Sequence, residues 1–208
     1  MTIQIVGTDA HIIIDMQNGF VPGGGLPVAG GMDILPVINR VNKKFERAFM
    51  SQDWHPANHG SFASQHGVAP FTMVELDGLP QVAWPDHCIQ GTHDAAFVEG
   101  LDDSNVAAII RKGMDPLVDS YSAFYDNARR NTTGLTDLLK AHGIWRVFLS
   151  GLARNYCVAF SALDAVTDGF TAYIIEDATK AIDDGTNDAM TERLKAAGVS
   201  LITSADLA

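Results

Sequence analysis

Short apolar, β-branched runs alternate with longer segments of helical spacing along this chain, and that alternation constrains the fold more than any single motif. His11–Ile14 reads as a first buried strand. Ile34, Leu35, Ile38, Val41 and Phe45 repeat at helical intervals and predict a helix over 34–44. Phe45–Ser51 reads as the next strand, although Glu46 and Arg47 interrupt its start. Strands are expected over Val106–Arg111, Arg146–Ser150, Thr171–Glu176 and Ser200–Thr203, with helices over 131–142, 155–168 and 185–197. Repeated strand–helix units imply a parallel sheet with helices on both faces, an α/β three-layer architecture of the Rossmann-like kind. A chain of 208 residues fits one compact domain over its full length.

In such sheets, sites gather beyond the carboxyl ends of the strands. Asp15 follows the first strand, Asp53 the second and Lys112 the third, and the run Gly151 to Cys157 follows the fourth. Four chemically capable groups therefore fall at one edge. Composition narrows what they can act on. The net charge of −11 speaks against binding to nucleic acid, where affinity comes from Lys and Arg on phosphates, and against an anionic membrane surface. The two cysteines, Cys88 and Cys157, cannot build a secreted disulfide framework. No run reaches the length of a membrane span, and no basic start precedes an apolar stretch, so a cytoplasmic protein is expected. Pro22 to Gly25 is glycine-rich without the Lys-Ser/Thr of a phosphate cradle, and reads as a flexible surface loop or a lid. The segment 60–100 reads as long and mostly irregular, which in compact domains points to function.

Two local patterns carry chemistry. Asp53, His55 and His59 lie within seven residues directly after a strand, and His87 sits in a later Trp-Pro-Asp-His-Cys run. Imidazole and carboxylate together suit a divalent metal such as zinc, iron or manganese. The alternative is a polar surface loop, which would account for any one of these histidines alone. His66 and His93 read as surface residues. The second pattern is Ser150-Gly-Leu-Ala-Arg-Asn-Tyr-Cys157: a strand, a glycine turn, and a helix opening near Asn155. That places Cys157 in a first helical turn, where amides and the helix dipole favour thiolate and can bind an oxyanion. A buried, inert cysteine is the other reading, and the one that suits Cys88. Asp15 and Lys112 form either a structural ion pair or a pair that orients a thiol and shuttles its proton.

These residues resemble the nicotinamidase (pyrazinamidase) branch of the isochorismatase-like cysteine hydrolases, over nearly the whole chain. The likeness rests on Ile12-Ile-Ile-Asp-Met-Gln-Asn-Gly-Phe20, on Ser51-Gln-Asp-Trp-His-Pro-Ala-Asn-His59 with Gly60-Ser-Phe-Ala63, on Trp84-Pro-Asp-His-Cys88, on Lys112-Gly113, and on Gly151-Leu-Ala153 with Cys157. The resemblance implies a catalytic triad of Asp15, Lys112 and Cys157. It implies one divalent metal per chain, zinc or else iron or manganese, on Asp53, His55 and His87, with His59 a ligand in some members. It also implies a cis peptide between Leu152 and Ala153, an oxyanion site on the amides of Ala153 and Cys157, and a pyridine ring held by Phe20 and Trp84. The implied activity is hydrolysis of nicotinamide, and of pyrazinamide, through a thioester, a step of NAD salvage; the substrate is a small molecule, and a homo-oligomer is compatible with the pattern. Rival readings are a metal-free amidase for another small amide or carbamoyl compound, and a binding module that kept the fold without catalysis. The chain departs from the pattern at Arg154 and Asn155, where the family carries Thr-Asp. Asn155 is expected to cap the helix, and Arg154 to bring positive charge towards the thiol.

Overall fold

In the computed structural model, which describes residues 2–208, six parallel strands form one sheet in the order β5-β2-β1-β6-β7-β8. These strands are β1 (Asp9–Ile14), β2 (Ala48–Asp53), β5 (Val106–Lys112), β6 (Arg146–Leu152), β7 (Thr171–Lys180) and β8 (Ser200–Ile202). β1 lies at the centre, paired in parallel with β2 and β6. All six of its residues are buried, which is why Ile12–Ile14 reads as an unbroken apolar run and not as an alternating one.

The pleat sends successive side chains to opposite faces. Ile12 and Ile14 join a core with Leu135 and Leu139 of α3 (Leu135–Ala141), Ala159, Ala162 and Ala165 of α4 (Ala159–Thr167) and Leu194 of α5 (Asn187–Ala196). Ile13 faces the other way, onto Ile38 and Val41 of α1 (Leu35–Asn42). The expected three layers are therefore present.

Several boundaries differ from the sequence expectation, each for a local reason. β2 starts at Ala48 and not at Phe45, because the Phe45 ring turns into the core to stack on His11 at 5.3 Å. α3 starts at Leu135 because the Asn131 amide N–H and side chain are held by the Asp126 carboxylate (2.9 and 2.8 Å) in the preceding loop. The segment 60–100 is less irregular than expected. It holds the short α2 (Ala63–His66) and an antiparallel hairpin, β3 (Met73–Leu76) with β4 (Leu79–Val82). Its two-residue turn is Asp77-Gly78, a dipeptide that favours hairpins. The loop of Pro22 to Gly25 is not free in the manner expected of a surface loop. Gly24 donates to Val21 O, Gly25 donates to Asp94 Oδ1, and Leu26 donates to Gly19 O before burying its side chain.

The helix expected over 155–168 begins differently. Arg154–Val158 form one π-helical turn, with Val158 N–H donating to Ala153 O across five residues, before α4 continues. Such turns are rare and cluster at functional sites. The turn follows a cis peptide between Leu152 and Ala153. Before it, Gly151 (φ +108°) passes so close to β1 that a Cβ would lie 2.0 Å from Ile14 O, so only glycine fits there.

Candidate active site

The carboxyl ends of β1, β2, β5 and β6 bring Asp15, Asp53, Lys112 and Cys157 together, all of them buried. Lys112 is the centre of the group. Its ammonium has three hydrogens and three aligned acceptors: Asp53 Oδ1 at 2.8 Å, Ser120 O at 2.9 Å and Cys157 Sγ at 3.5 Å. Asp15 Oδ2 also stands 3.0 Å from the ammonium, but outside hydrogen-bond alignment, and that oxygen has no hydrogen-bond partner among the described residues. Its other oxygen accepts from Ser51 Oγ at 2.6 Å, which fixes the carboxylate plane. One oxygen of Asp15, one of Asp53 and the Cys157 sulfur lie within 4.8 Å of one another.

Burial dominates the electrostatics. It pushes the Asp15 carboxyl above its ordinary range, and neighbouring Asp53 adds to the rise against the pull of Lys112. Burial likewise pushes the Cys157 thiol well up; Lys112 opposes this, while Asp15 and Asp53 reinforce it. Burial alone would lower Lys112, but Asp15 and Asp53 outweigh it and hold the lysine charged. This corrects the expectation of a thiol lowered by its helix. The group that could remove the thiol proton is Asp15, a basic carboxylate with a free oxygen.

Arg154 does not face the thiol as expected. Its guanidinium turns outward to Asn187 Oδ1 (2.8 Å), Thr191 Oγ1 (2.9 Å) and Glu176 Oε1 (3.1 Å). Nor does Asn155 cap the helix. Ala153 occupies the cap position, and the Asn155 side chain reaches the loop after β7.

A second cluster adjoins the first. Asp53 Oδ2 lies 3.2 Å from His55 Nε2 and 3.6 Å from His87 Nε2. The tautomers follow from the other ring nitrogens. His55 Nδ1 sits 2.8 Å from Gly113 O and His87 Nδ1 2.7 Å from Pro85 O. A carbonyl only accepts, so both Nδ1 atoms carry hydrogen and both Nε2 lone pairs face Asp53. Three lone-pair donors converge, and their repulsion is relieved by a divalent cation between them or, without one, by a proton on His55 Nε2. Two ligands bonded tetrahedrally at about 2.0–2.1 Å stand roughly 3.3–3.4 Å apart, so the observed spacings fit one zinc-sized ion. Without such an ion, Asp53 holds the His55 imidazole above its ordinary pKa despite burial. Asp53 itself is held well below the carboxylate range, where His55 and Lys112 overcome burial.

His59 differs from the other two histidines. Its Nδ1 accepts from Ser61 N–H at 3.2 Å and lies 2.7 Å from Ser61 Oγ, so the hydrogen of the neutral ring is on Nε2. That Nε2 is buried without a hydrogen-bond partner among the described residues, and one ring nitrogen of His59 lies within 4.8 Å of ligand atoms of His55 and Asp119. A nitrogen carrying hydrogen donates and does not ligate. Burial and the neighbouring His55 hold His59 down to about 4, which keeps it neutral.

Both clusters border a narrow cavity of about 20 Å³, whose walls include Cys157 as well as Asp53 and His87. Phe20, Trp84, Tyr121 and Tyr156 line it, with Leu26 and Ile182. The Trp84 ring meets Tyr156 edge-on at 4.8 Å, and its Nε1 donates to Tyr121 Oη at 3.3 Å. Sequence reasoning missed Asp119, Tyr121 and Tyr156. Tyr156 was within reach, since it precedes Cys157 directly. Asp119 and Tyr121 sit in an irregular segment after β5 with no periodic signal. Cys88 is buried and free, as expected, and its carbonyl receives the His55 amide. His66 and His93 are exposed.

An α/β sheet whose strand ends assemble a buried carboxylate, ammonium and thiol beside a carboxylate–imidazole cluster defines a cysteine-hydrolase type of site. The chain belongs to the isochorismatase family, whose domain model matches residues 9–206. It is similar to the nicotinamidase of Escherichia coli K12, with 45% identity over 203 residues and 95% of each chain covered. Among solved structures it is similar to an Acinetobacter baumannii nicotinamidase/pyrazinamidase (47% identity, 97% of this chain and 98% of that one, TM-score 0.95). It is also similar to an L. infantum protein, PnC1, in complex with nicotinate (40% identity, 100% and 99% coverage, TM-score 0.89).

Proposed function

We propose that this chain is a nicotinamidase, a metal-dependent cysteine amidohydrolase that converts nicotinamide to nicotinate and ammonia, with pyrazinamide as a second substrate. The observation that carries the reading is the shared cavity. The Cys157 thiol and two members of a cation's donor set, Asp53 and His87, line one aromatic-walled slot. A flat ring with a basic nitrogen and a carboxamide can engage both at once. A metal-free amidase would leave the convergence of Asp53, His55 and His87 without a role.

The residues that would hold the metal are Asp53, His55 and His87, with His59 beside them and outside the proposed ligand set. Zinc is the ion we assign, on the mixed imidazole–carboxylate donors. When bound, the ion supplies a positive template for the ring nitrogen, received directly or through water. Phe20 and Trp84 hold the ring.

Asp15 takes the Cys157 proton through its free oxygen. Lys112, hydrogen-bonded to the sulfur, balances the negative charge as it forms. The thiolate attacks the carboxamide carbon, and the amides of Ala153 and Cys157 receive the oxyanion. Asp15 returns its proton to the nitrogen as the C–N bond breaks and ammonia leaves. Water then gives a proton to Asp15 and attacks the thioester; the C–S bond breaks, the thiol regains its proton, and nicotinate departs.

Ammonia release from nicotinamide, measured with metal content on one purified sample, tests the reading. Rapid turnover with one metal ion per chain is expected. Absence of turnover by metal-loaded protein would overturn it.

A further inference from the structure

Three consecutive residues before Cys157 reach outward to one segment. Arg154 binds Asn187 and Thr191 of α5 and Glu176 of β7. Asn155 grips the loop between β7 and α5 as a strand partner would: its Oδ1 accepts Ile182 N–H at 2.9 Å, and its Nδ2 donates to Ile182 O at 3.0 Å. Its Nδ2 also reaches Thr186 Oγ1 at 2.8 Å. Tyr156 donates its hydroxyl to Asp184 Oδ2 at 2.6 Å. Asp184 closes the arrangement on itself, its Oδ1 accepting from Thr186 N–H (3.0 Å) and Thr186 Oγ1 (2.6 Å).

Two members of this arrangement, Ile182 and Tyr156, are walls of the cavity that holds Cys157. Asp184 is not a wall, and it is exposed. It nevertheless ties one wall residue to the loop that carries the other. A charged acceptor at 2.6 Å is among the stronger hydrogen bonds a tyrosine makes, and it removes rotational freedom from both partners. The loop has no helix or strand of its own over 181–186, so these side-chain bonds, together with the Asp184 N–H donating to Ile182 O at 3.1 Å and the packing of Ile182 on the core, set where Ile182 stands.

We infer that Asp184 is a positioning residue for substrate: by clasping Tyr156 and Thr186 it fixes the Ile182–Tyr156 side of the slot and so limits the width of ring admitted. The inference rests on the proposed function for its substrate and goes beyond it in assigning ring selectivity to a residue outside the cavity. Loss of the clasp widens the slot at its mouth without touching the thiol, Asp15 or Lys112. The expected signature is weaker binding with chemistry unchanged.

The experiment compares wild type, Asp184→Ala and Asp184→Asn. In Asp184→Ala, KM for nicotinamide rises roughly five- to tenfold and kcat stays within about twofold, as for lost ground-state binding. Turnover of the bicyclic quinoline-3-carboxamide relative to nicotinamide increases. Asp184→Asn keeps an acceptor for Tyr156 and returns KM most of the way to wild type. A second measurement needs no turnover: trypsin cleavage after Lys180, an exposed residue at the loop's start, becomes at least about tenfold faster in Asp184→Ala than in wild type, in line with local opening. Unchanged KM, unchanged ring preference or unchanged cleavage in Asp184→Ala would overturn the inference, as would a matching fall in kcat. Wild type inactive on nicotinamide would instead remove the proposed function, and the cleavage rates would still judge the clasp.

Discussion

Acidification should unfold this protein partly through one histidine under the active site. His11 is fully buried on β1. Its surroundings fix it as a neutral ring. Asn42 Nδ2 donates to Asp102 O (3.0 Å) and Asn105 Oδ1 (2.6 Å), so the Asn42 oxygen faces His11 Nδ1 at 3.0 Å and accepts its hydrogen. His11 Nε2 then accepts from Ser150 Oγ at 2.8 Å. The neutral form is satisfied at both nitrogens, and burial pushes its pKa from the ordinary 6.5 down to about 4. The folded pKa is thus depressed, and the unfolded chain binds the proton first. The contribution to stability is complete above pH 6.5 and is lost as pH falls from 6.5 towards 4. A shift from 6.5 to about 4, at about 1.4 kcal/mol per unit, is worth about 3 kcal/mol in full, of which about 2 kcal/mol is gone by pH 5. The assay is urea unfolding of metal-stripped protein at pH 7.5 and pH 5, for wild type and His11→Gln. Stripping removes metal release as a second pH-dependent event. Carboxylates contribute equally in both proteins and cancel in the difference. His11→Gln should be less stable than wild type at pH 7.5 but lose about 2 kcal/mol less between the two pH values. Equal losses in the two proteins would refute the reasoning.

Other outcomes test the site directly. Cys157→Ala should abolish nicotinamide turnover while leaving metal content intact, checked by ammonia assay and metal analysis; full activity would remove Cys157 as nucleophile. His55→Ala should lose the metal and raise KM, whereas His59→Ala should keep the metal, because its Nε2 carries hydrogen; equal metal loss in both would place His59 among the ligands. Gly113→Ala should weaken metal binding by at least about tenfold, as outer contacts of ligating histidines do. A Cβ there would lie 2.4 Å from His55 Cε1, at a φ of +63° in the left-handed region that favours glycine. Competition with a chromogenic chelator measures this, and wild-type affinity would show that the His55 ring can move aside.

The parallel sheet was legible because central strands buried on both faces, such as β1 and β6, are written largely in apolar residues, and Asp15, Asp53, Lys112 and the segment of Cys157 stood out because each lies at a strand's carboxyl end. Strand order was not legible. Nothing in His11–Ile14 says that β2 and β6, which are 37 and 137 residues from their β1 partners in the Ile12–Phe49 and Ile12–Leu149 pairs, flank it. The β3–β4 hairpin escaped although Asp77-Gly78 signalled it, because Met73–Leu76 is mostly exposed and carries no core pattern. Thiol electrostatics escaped for a different reason. A helix start suggests a lowered thiol pKa only when the thiol is solvated, and here burial among two carboxylates outweighs it.

The Arg154–Asn155 departure shows most clearly how far residue type alone can mislead. From sequence, a guanidinium three residues from a thiol reads as a change in the field on that thiol. In the fold, the π turn sends residues 154 and 155 away from Cys157 and towards β7 and α5. What the two residues alter is therefore the attachment of the segment that carries Cys157. In the proposed mechanism the chemistry at Cys157 depends on Asp15 and Lys112, which arrive from β1 and β5 on the far side. Substitution at 154 or 155 can thus move substrate fit without moving the thiol's pKa. Arg154→Ala should leave the pH dependence of kcat as in wild type while raising KM, and a displaced pH profile would return Arg154 to the thiol's field.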